Sequence, residues 1–139
     1  MQRNYGMGIE GLDKVLIDTS VWIEFFRKRE PYYRKVLKLI DNNQACCIGL
    51  ILAELIQGAK SNKAIEIVKD FIHVFDFLKE SVQMWEKSGE LSYRVRKAGK
   101  KAGLSDCYIA IAAKMNNAAI FTLDSHFELI KEHINITLF

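Results

Sequence analysis

With 139 residues, of which 50% are hydrophobic and 27% are charged, the chain has the size and balance of one globular domain. No segment approaches the roughly 18 consecutive apolar residues that span a bilayer, which argues against a membrane protein. The polar, Gly-rich residues 1–13 lack the apolar centre of a secretory signal, so we expect a cytoplasmic location. We interpret residues 1–13 as an N-terminal extension or a remnant of cloning, and residues 14–139 as one domain.

The charge is mildly basic, with a net value of +3 and a pI near 8.7. Such a balance permits a polyanionic partner without requiring one. Basic residues are concentrated in Arg27–Arg29 and in a second cluster, which consists of Arg94, Arg96, Lys97, Lys100 and Lys101. Clusters of this kind are often no more than solvated helix faces or ends.

The three cysteines, Cys46, Cys47 and Cys107, have no C-x-x-C spacing. Their pattern therefore indicates neither a zinc site nor a disulfide framework. We expect them to be buried as small hydrophobic side chains.

The first predicted elements are a strand and a short helix. Val15–Ile17 is an apolar run that ends at Asp18, a pattern typical of a buried strand. Thr19 or Ser20 is expected to cap a helix over Val21–Arg27, because a hydroxyl can accept a hydrogen bond from a free amide at a helix start.

The remaining chain alternates between strands and helices. Further strands are predicted at Ala45–Ile48, His73–Leu78, Ala119–Leu123 and Ile134–Leu138, and further helices from Pro31, over Leu50–Ala59, Lys63–Phe71 and Ser81–Ala98, and from Ser105 to Asn117. In the long helix, Met84, Trp85, Leu91 and Val95 are expected to contact the core. This alternation predicts an α/β fold, with a central parallel sheet flanked by helices on both faces.

Four acidic residues stand apart from the surface pattern of the helices. Asp18 and Asp124 each follow a predicted strand, Asp106 lies at a predicted helix start, and Glu54 lies early in a helix that follows a strand. In an open α/β sheet these positions share one edge, where ligands bind. For any single aspartate the alternative is a helix cap or a turn residue.

Bringing these carboxylates together is costly, because like charges raise one another's pKa and destabilise the fold. A divalent cation offsets that repulsion. Hard ions favour carboxylate and water oxygens, so the sequence predicts Mg²⁺ or Mn²⁺ rather than zinc.

The residues around the four acids resemble the motifs of PIN domains. The four segments are Val15-Leu16-Ile17-Asp18-Thr19-Ser20, Glu54-Leu55-x-x-Gly58, Leu104-x-Asp106-x-x-Ile109-Ala110-x-Ala112 and Thr122-x-Asp124-x-x-Phe127. Each motif is weak alone, but the four occur in the family's order and with similar separations. The resemblance spans about Lys14 to Phe139, and the short single-domain form is most similar to VapC-type toxins.

This resemblance implies a metal-dependent endoribonuclease, a homodimer, and an antitoxin partner that wraps the toxin and blocks its acidic site. The family's acidic quartet binds metal and is catalytic, and the residues that correspond to it are Asp18, Glu54, Asp106 and Asp124. Thr19 or Ser20 corresponds to the catalytic hydroxyl position beside the first Asp. Two features depart from the family: about thirteen residues precede the first strand, and position 126 has His where many relatives carry a further acid.

The mechanistic hypothesis is direct in-line hydrolysis of RNA without a covalent intermediate. Asp18, Asp106 and Asp124 would bind one or two ions, and Glu54 would complete the shell or position the attacking water. RNA phosphates would contact the second basic cluster and, as a further option, Arg27–Arg29.

Two aromatic segments have alternative interpretations. Tyr93 could stack on a base or make a core or dimer contact. Trp22, Phe25 and Phe26 are expected in the core, with a groove for an antitoxin helix as the alternative.

Other enzyme classes fit less well. A haloacid-dehalogenase-type phosphatase would have a second Asp where Ser20 stands, and a receiver domain would have paired acids on its first loop. A ribonuclease that uses His for acid–base chemistry would need paired His residues near the phosphate, whereas His73 lies in a predicted strand and His126 alone is close to an acid of the quartet. The remaining alternative is a non-catalytic PIN-like module that binds RNA or protein.

Overall fold

The structure is a computed structural model that describes residues 13–139. The predicted extension lies outside the described residues, apart from Asp13. The strands are β1 (Lys14–Ile17), β2 (Ala45–Cys47), β3 (Asp76–Phe77) and β4 (Ala118–Phe121). The helices are α1 (Thr19–Phe26), α2 (Tyr32–Asp41), α3 (Gly49–Gln57), α4 (Asn62–Ile72), α5 (Val82–Lys97), α6 (Leu104–Met115) and α7 (His126–Ile130).

The described strands form one parallel sheet in the order β3-β2-β1-β4. β1 pairs with β2 through Val15↔Ala45 and with β4 from Lys14↔Ala118 onward. Parallel neighbours need long crossover connections, which the helices supply. The predicted α/β class, with a parallel sheet flanked by helices, is confirmed.

The order of the strands creates a switch point between β1 and β4. The chain moves from β1 to β2 and β3 in one direction, and then crosses to β4 on the opposite side of β1. Right-handed crossovers therefore place α1–α4 on one face and α5–α6 on the other, and the contacts of α1 with α2 and α3, and of α6 with α5, agree with this arrangement. Loops that leave such a point in opposite directions open a crevice.

The sheet and one helix form the centre of the core. Val15, Leu16 and Ile17 are fully buried, as the unbroken apolar run predicts for a strand covered on both faces. In α6, every residue from Cys107 to Ala113 is buried, which fixes the position of that helix on the sheet. All three cysteines are buried and free, as predicted, and burial raises the pKa of the Cys46 thiol to about 12.

An aromatic cluster joins α1 to α4 and the segment after it. Trp22 is fully buried and stacks on Phe75 with ring centroids 5.1 Å apart. Phe25 and Phe71 pack against each other in the same cluster, with ring centroids 5.4 Å apart. The core interpretation of Trp22 and Phe25 is therefore confirmed.

Two of the predicted strands are wrong, the first in its length and the second in its existence as a strand. His73–Leu78 is reduced to Asp76–Phe77, and His73 is the C-cap of α4. The strand is short because it lies at the sheet edge and pairs with β2 alone. The segment Ile134–Leu138 is not a strand, since it meets β4 only through the isolated bridge Ile120↔Leu138.

The boundaries and contacts of three helices also differ from expectation. Gly49 begins α3 instead of closing a strand. The N-cap of α6 is Gly103, so Ser105 is not the predicted cap. Met84, Leu91 and Val95 are buried, but Trp85 is 46% exposed and stacks on Tyr108 at 3.8 Å; it covers the core from outside. None of the helices in residues 13–139 combines the length and apolarity needed to cross a membrane.

Candidate active site

Asp18 lies where β1 ends and α1 begins, at the switch point of the sheet. It is only 6% exposed, and its Oδ2 accepts hydrogen bonds from Thr122 Oγ1 at 2.7 Å and Ser20 Oγ at 3.1 Å. Its backbone N–H donates to Phe121 O at 2.9 Å. The end of β4 and the start of α1 therefore fix one oxygen of this buried carboxylate.

The predicted helix cap by Thr19 or Ser20 is wrong, because Asp18 occupies the N-cap position and makes no side-chain cap. Thr19 Oγ1 instead donates to Glu54 Oε1 at 2.6 Å. Ser20 Oγ accepts from Leu123 N at 3.0 Å while it donates to Asp18. Both hydroxyls are thus committed to carboxylates, which as charged acceptors form stronger bonds than neutral ones.

Asp124 does not directly follow its strand, since β4 ends at Phe121 and Thr122 and Leu123 intervene. Thr122 Oγ1 accepts from Asp124 N at 3.0 Å and donates to Asp18. This hydroxyl therefore bridges Asp18 and Asp124. The sequence indicated Thr122 only as a motif position and did not predict this role.

Asp106 lies in the first turn of α6, where negative charge is favoured by the helix dipole. Its side chain is 20% exposed. Burial, and after it the charges of Asp124 and Asp18, raise the pKa of this carboxyl to about 6, against the opposite effect of His126. The three aspartates of the predicted quartet therefore lie within electrostatic reach of one another.

His126, at the start of α7, reaches into this cluster. Its Nδ1 lies 3.1 Å from Asp124 Oδ1 and 3.5 Å from Asp106 Oδ2. Potential ligand atoms of these three residues all lie within 4.8 Å of one another. The sequence indicated that His126 is close to an acid of the quartet and departs from the family at this position, but not that its ring lies beside Asp106.

Glu54 lies on α3 beside the three aspartates rather than among them. Its Oε1 is held by Thr19, the neighbour of Asp18. Among the described residues, the group that could hold a metal contains Asp106, Asp124 and His126, and neither Asp18 nor Glu54. Asp18 lies within electrostatic reach of Asp106, and Glu54 is joined to the site through its hydrogen bond from Thr19.

Glu80 and Tyr108 join the helices that carry two of the acids, and no sequence signal singled them out. Glu80 Oε2 accepts from Gly49 N at 3.0 Å, at the start of α3, and its Oε1 accepts from Tyr108 Oη at 2.6 Å, on α6. Burial and the Glu80 contact raise the pKa of the Tyr108 hydroxyl. This contact couples the helix of Glu54 to the helix of Asp106.

The second basic cluster leads toward the site. Its members are Arg94, Arg96 and Lys97 in the last turn of α5, and Lys100 and Lys101 in the connection to α6, all exposed. Tyr93 is 52% exposed, with Arg96 Cζ 5.7 Å and Lys97 Nζ 6.0 Å from its ring centroid, so it is no core contact.

The first basic segment is partly neutralised. Arg27 and Arg29 lie 4.0 Å and 3.4 Å from the Glu24 carboxylate. These ion pairs occupy part of the positive charge of Arg27–Arg29.

The donors present fit a divalent cation. Carboxylate oxygens and an imidazole nitrogen converge within one group, and the pKa of Asp106 is raised first by burial and then by the negative charges of Asp124 and Asp18. A cation at this position would offset that negative charge.

Residues 15–132 match the sequence model of the PIN domain. The chain belongs to the PIN domain family. Ribonuclease VapC1 of Methanocaldococcus jannaschii is 27% identical over 121 residues, covering 86% of this chain and 82% of that protein. Ribonuclease VapC11 of Mycobacterium tuberculosis is 25% identical over 127 residues, covering 88% and 95%.

Solved structures share the fold of this PIN domain. VapBC2 from Rickettsia felis, bound to a promoter DNA fragment, has a TM-score of 0.73 at 23% identity, with 90% of this chain and 96% of that chain covered. DNA-bound VapBC from Salmonella typhimurium has a TM-score of 0.75 at 23% identity, with 91% and 96% covered.

Proposed function

We propose that this PIN domain is a metal-dependent endoribonuclease that hydrolyses phosphodiester bonds in RNA and acts as the toxin of a toxin–antitoxin pair. The observation that carries the proposal is the convergence of Asp18, Asp106 and Asp124 at the β1/β4 switch point, with Glu54 beside them. Relatives named ribonucleases support the reaction. Structural neighbours named as VapBC complexes support an antitoxin partner.

Asp106 and Asp124, with Asp18, would hold one or two Mg²⁺ or Mn²⁺ ions. When bound, such an ion lowers the pKa of water and neutralises charge on the phosphate. Asp18 is suited to the innermost position, because its burial and two hydroxyl partners keep its carboxylate in one orientation.

Glu54 is suited to the attacking water. Thr19 holds one of its oxygens at 2.6 Å, which leaves the other oxygen to accept a proton from that water. A carboxylate oriented by a neighbouring hydroxyl can serve as a general base when it is within hydrogen-bonding reach of the proton.

The second basic cluster is proposed to contact RNA phosphates. Its charges are exposed and lie on the segment that leads to Asp106, so a strand held there is directed to the acids. Phosphate contacts position the nucleic acid without reading its sequence. The exposed ring of Tyr93 can stack on an unpaired base.

The cellular setting follows from the family. We propose a cytoplasmic homodimer whose antitoxin covers the acidic site. Purifying the chain together with the product of an adjacent gene and measuring RNA cleavage before and after the two are separated would test this part; equal cleavage in both states would contradict it.

The central test is cleavage of total RNA by metal-stripped protein, with and without added Mg²⁺ or Mn²⁺. Asp18→Asn and Asp106→Asn remove acids of the site, and Asp41→Asn, at the exposed end of α2, is the matched control. Metal-dependent fragments that disappear in the first two variants and persist in the third are expected.

The alternative, a PIN-like module that binds RNA or protein without cutting, predicts a different result. Folded wild-type protein would then bind RNA without metal and leave several RNA pools intact. That outcome would overturn the nuclease.

A further inference from the structure

We propose that His126 is a nitrogen ligand of the ion at this site and shifts its preference from Mg²⁺ toward first-row transition ions such as Mn²⁺. The inference rests on the proposed metal-dependent function and refines it. It concerns the imidazole at position 126, two residues after Asp124.

The two distances from the His126 ring nitrogen to carboxylate oxygens are compatible with ligation of one small dication. Adjacent ligands at about 2.1 Å from such an ion lie about 3 Å from each other. His126 Nδ1 lies 3.1 Å from Asp124 Oδ1 and 3.5 Å from Asp106 Oδ2. An ion between the ring nitrogen and these oxygens would therefore need only small shifts of the side chains.

The backbone holds the imidazole in this place. His126 N donates to Asp124 Oδ1 at 2.9 Å, so the same carboxylate orients both the main chain and the ring. The next residue, Phe127, is fully buried and anchors the first turn of α7 in the core. The ring itself is 61% exposed, so its side chain can adjust when an ion enters.

The chemistry of the donors then separates the two kinds of ion. Mg²⁺ strongly favours oxygen ligands, whereas imidazole binds first-row transition ions well. Replacing a carboxylate by a neutral ring lowers the attraction for every dication, but the nitrogen restores binding only for the transition ions. The ratio of the Mg²⁺ to the Mn²⁺ dissociation constant should therefore be larger with His126 than with an acid.

The direct test is pulsed EPR of Mn²⁺ bound to metal-stripped protein without RNA. Wild type should show a nitrogen coupling from a ligated imidazole, and His126→Asp should lose it. His73→Asn, an exposed histidine after α4, should keep it. Calorimetry should show that the Mg²⁺/Mn²⁺ ratio of dissociation constants falls by about 10-fold or more in His126→Asp.

Thermal unfolding should be measured to check that His126→Asp is folded. His126→Asn, which removes the imidazole without adding a charge, should be checked in the same way and should also lose the nitrogen coupling. Mn²⁺ that binds wild type without nitrogen coupling, or an unchanged ratio in His126→Asp, would overturn the ligand role. RNA cleavage that still requires metal would then leave the nuclease intact. Wild type that binds neither ion would overturn the inference and the proposed metal site together.

Discussion

Asp106 and Glu80 are two acidic residues associated with α6, and their surroundings are opposite. Glu80 accepts hydrogen bonds from the Tyr108 hydroxyl on α6 and from Gly49 N at the start of α3. Asp106, in the first turn of the same helix, lies close to the charges of Asp124 and Asp18, and burial together with these charges raises its pKa to about 6. One carboxylate has donors on both oxygens, and the other faces like charges.

The comparison separates a carboxylate that holds the fold from one that is suited to function. Hydrogen bonds to a charged group stabilise the folded state by roughly 1.5–3 kcal/mol each, so Glu80 fastens α3 to α6. Clustered carboxylates destabilise the folded state by repulsion, which a bound cation offsets. Asp106 should therefore matter for cleavage and Glu80 for stability. The first three of four predictions test that division, and the fourth tests the proposed RNA contact.

The largest expected effect is on cleavage. Asp106→Asn keeps the size of the side chain but removes a charge from the acidic group. RNA cleavage should fall by about 100-fold or more, as the proposed ligand role requires, because even the hydrogen-bonding partners of metal ligands contribute about 10- to 100-fold. Unfolding of the metal-free variant by urea should occur at the same or a higher midpoint than in wild type. A lower midpoint would show that Asp106 supports the fold and would break the comparison.

The second effect is on the pH dependence of stability without metal. The pKa of Asp106 is about 6 in the folded protein, against 3.8 ordinarily, so the folded state binds more protons than the unfolded state between these values. The free energy of unfolding should therefore fall as pH rises from about 4 to about 6, by up to about 3 kcal/mol from this residue. Urea titrations of wild type and Asp106→Asn at several pH values isolate the contribution of this carboxyl to the free energy of unfolding. If this free energy had the same pH dependence in both proteins, the prediction would be contradicted.

The third effect concerns the fold. Glu80→Ala removes the acceptor of Tyr108 Oη and Gly49 N, and the free energy of unfolding should fall by about 1–3 kcal/mol. Glu80→Gln keeps an acceptor and should lose less. Below the unfolding temperature, both variants should cleave RNA far better than Asp106→Asn. Stability unchanged in Glu80→Ala would show that solvent replaces these bonds.

The smallest effect is on the salt dependence of RNA binding. Arg94→Ala/Lys97→Ala removes two exposed charges of the second basic cluster, and the slope of log affinity against log salt should decrease by about 0.7 per lost contact with single-stranded RNA. Lys35→Ala/Lys38→Ala, on α2, is the matched control. A slope that is unchanged, or that changes equally in both variants, would reject the assignment.

The sequence alone determined the class of the fold and singled out the acids of the proposed site. Val15–Ile17 is buried because an unbroken apolar run fits a strand covered on both faces, and alternating strands and helices imply a parallel sheet. Asp18 and Asp106 could be selected because an acid at a strand end or helix start is placed by local structure. These features depend on neighbours close in the chain.

Tertiary structure alone decided which groups meet. Thr122 contacts Asp18 across 104 positions, and Thr19 contacts Glu54 across 35. The position of the His126 ring beside Asp106 and the shortness of β3 at the sheet edge likewise depend on how separate elements pack. Local patterns encode burial and periodicity, whereas hydrogen bonds between distant residues form only after hydrophobic packing has fixed the relative positions of the helices and strands that carry them.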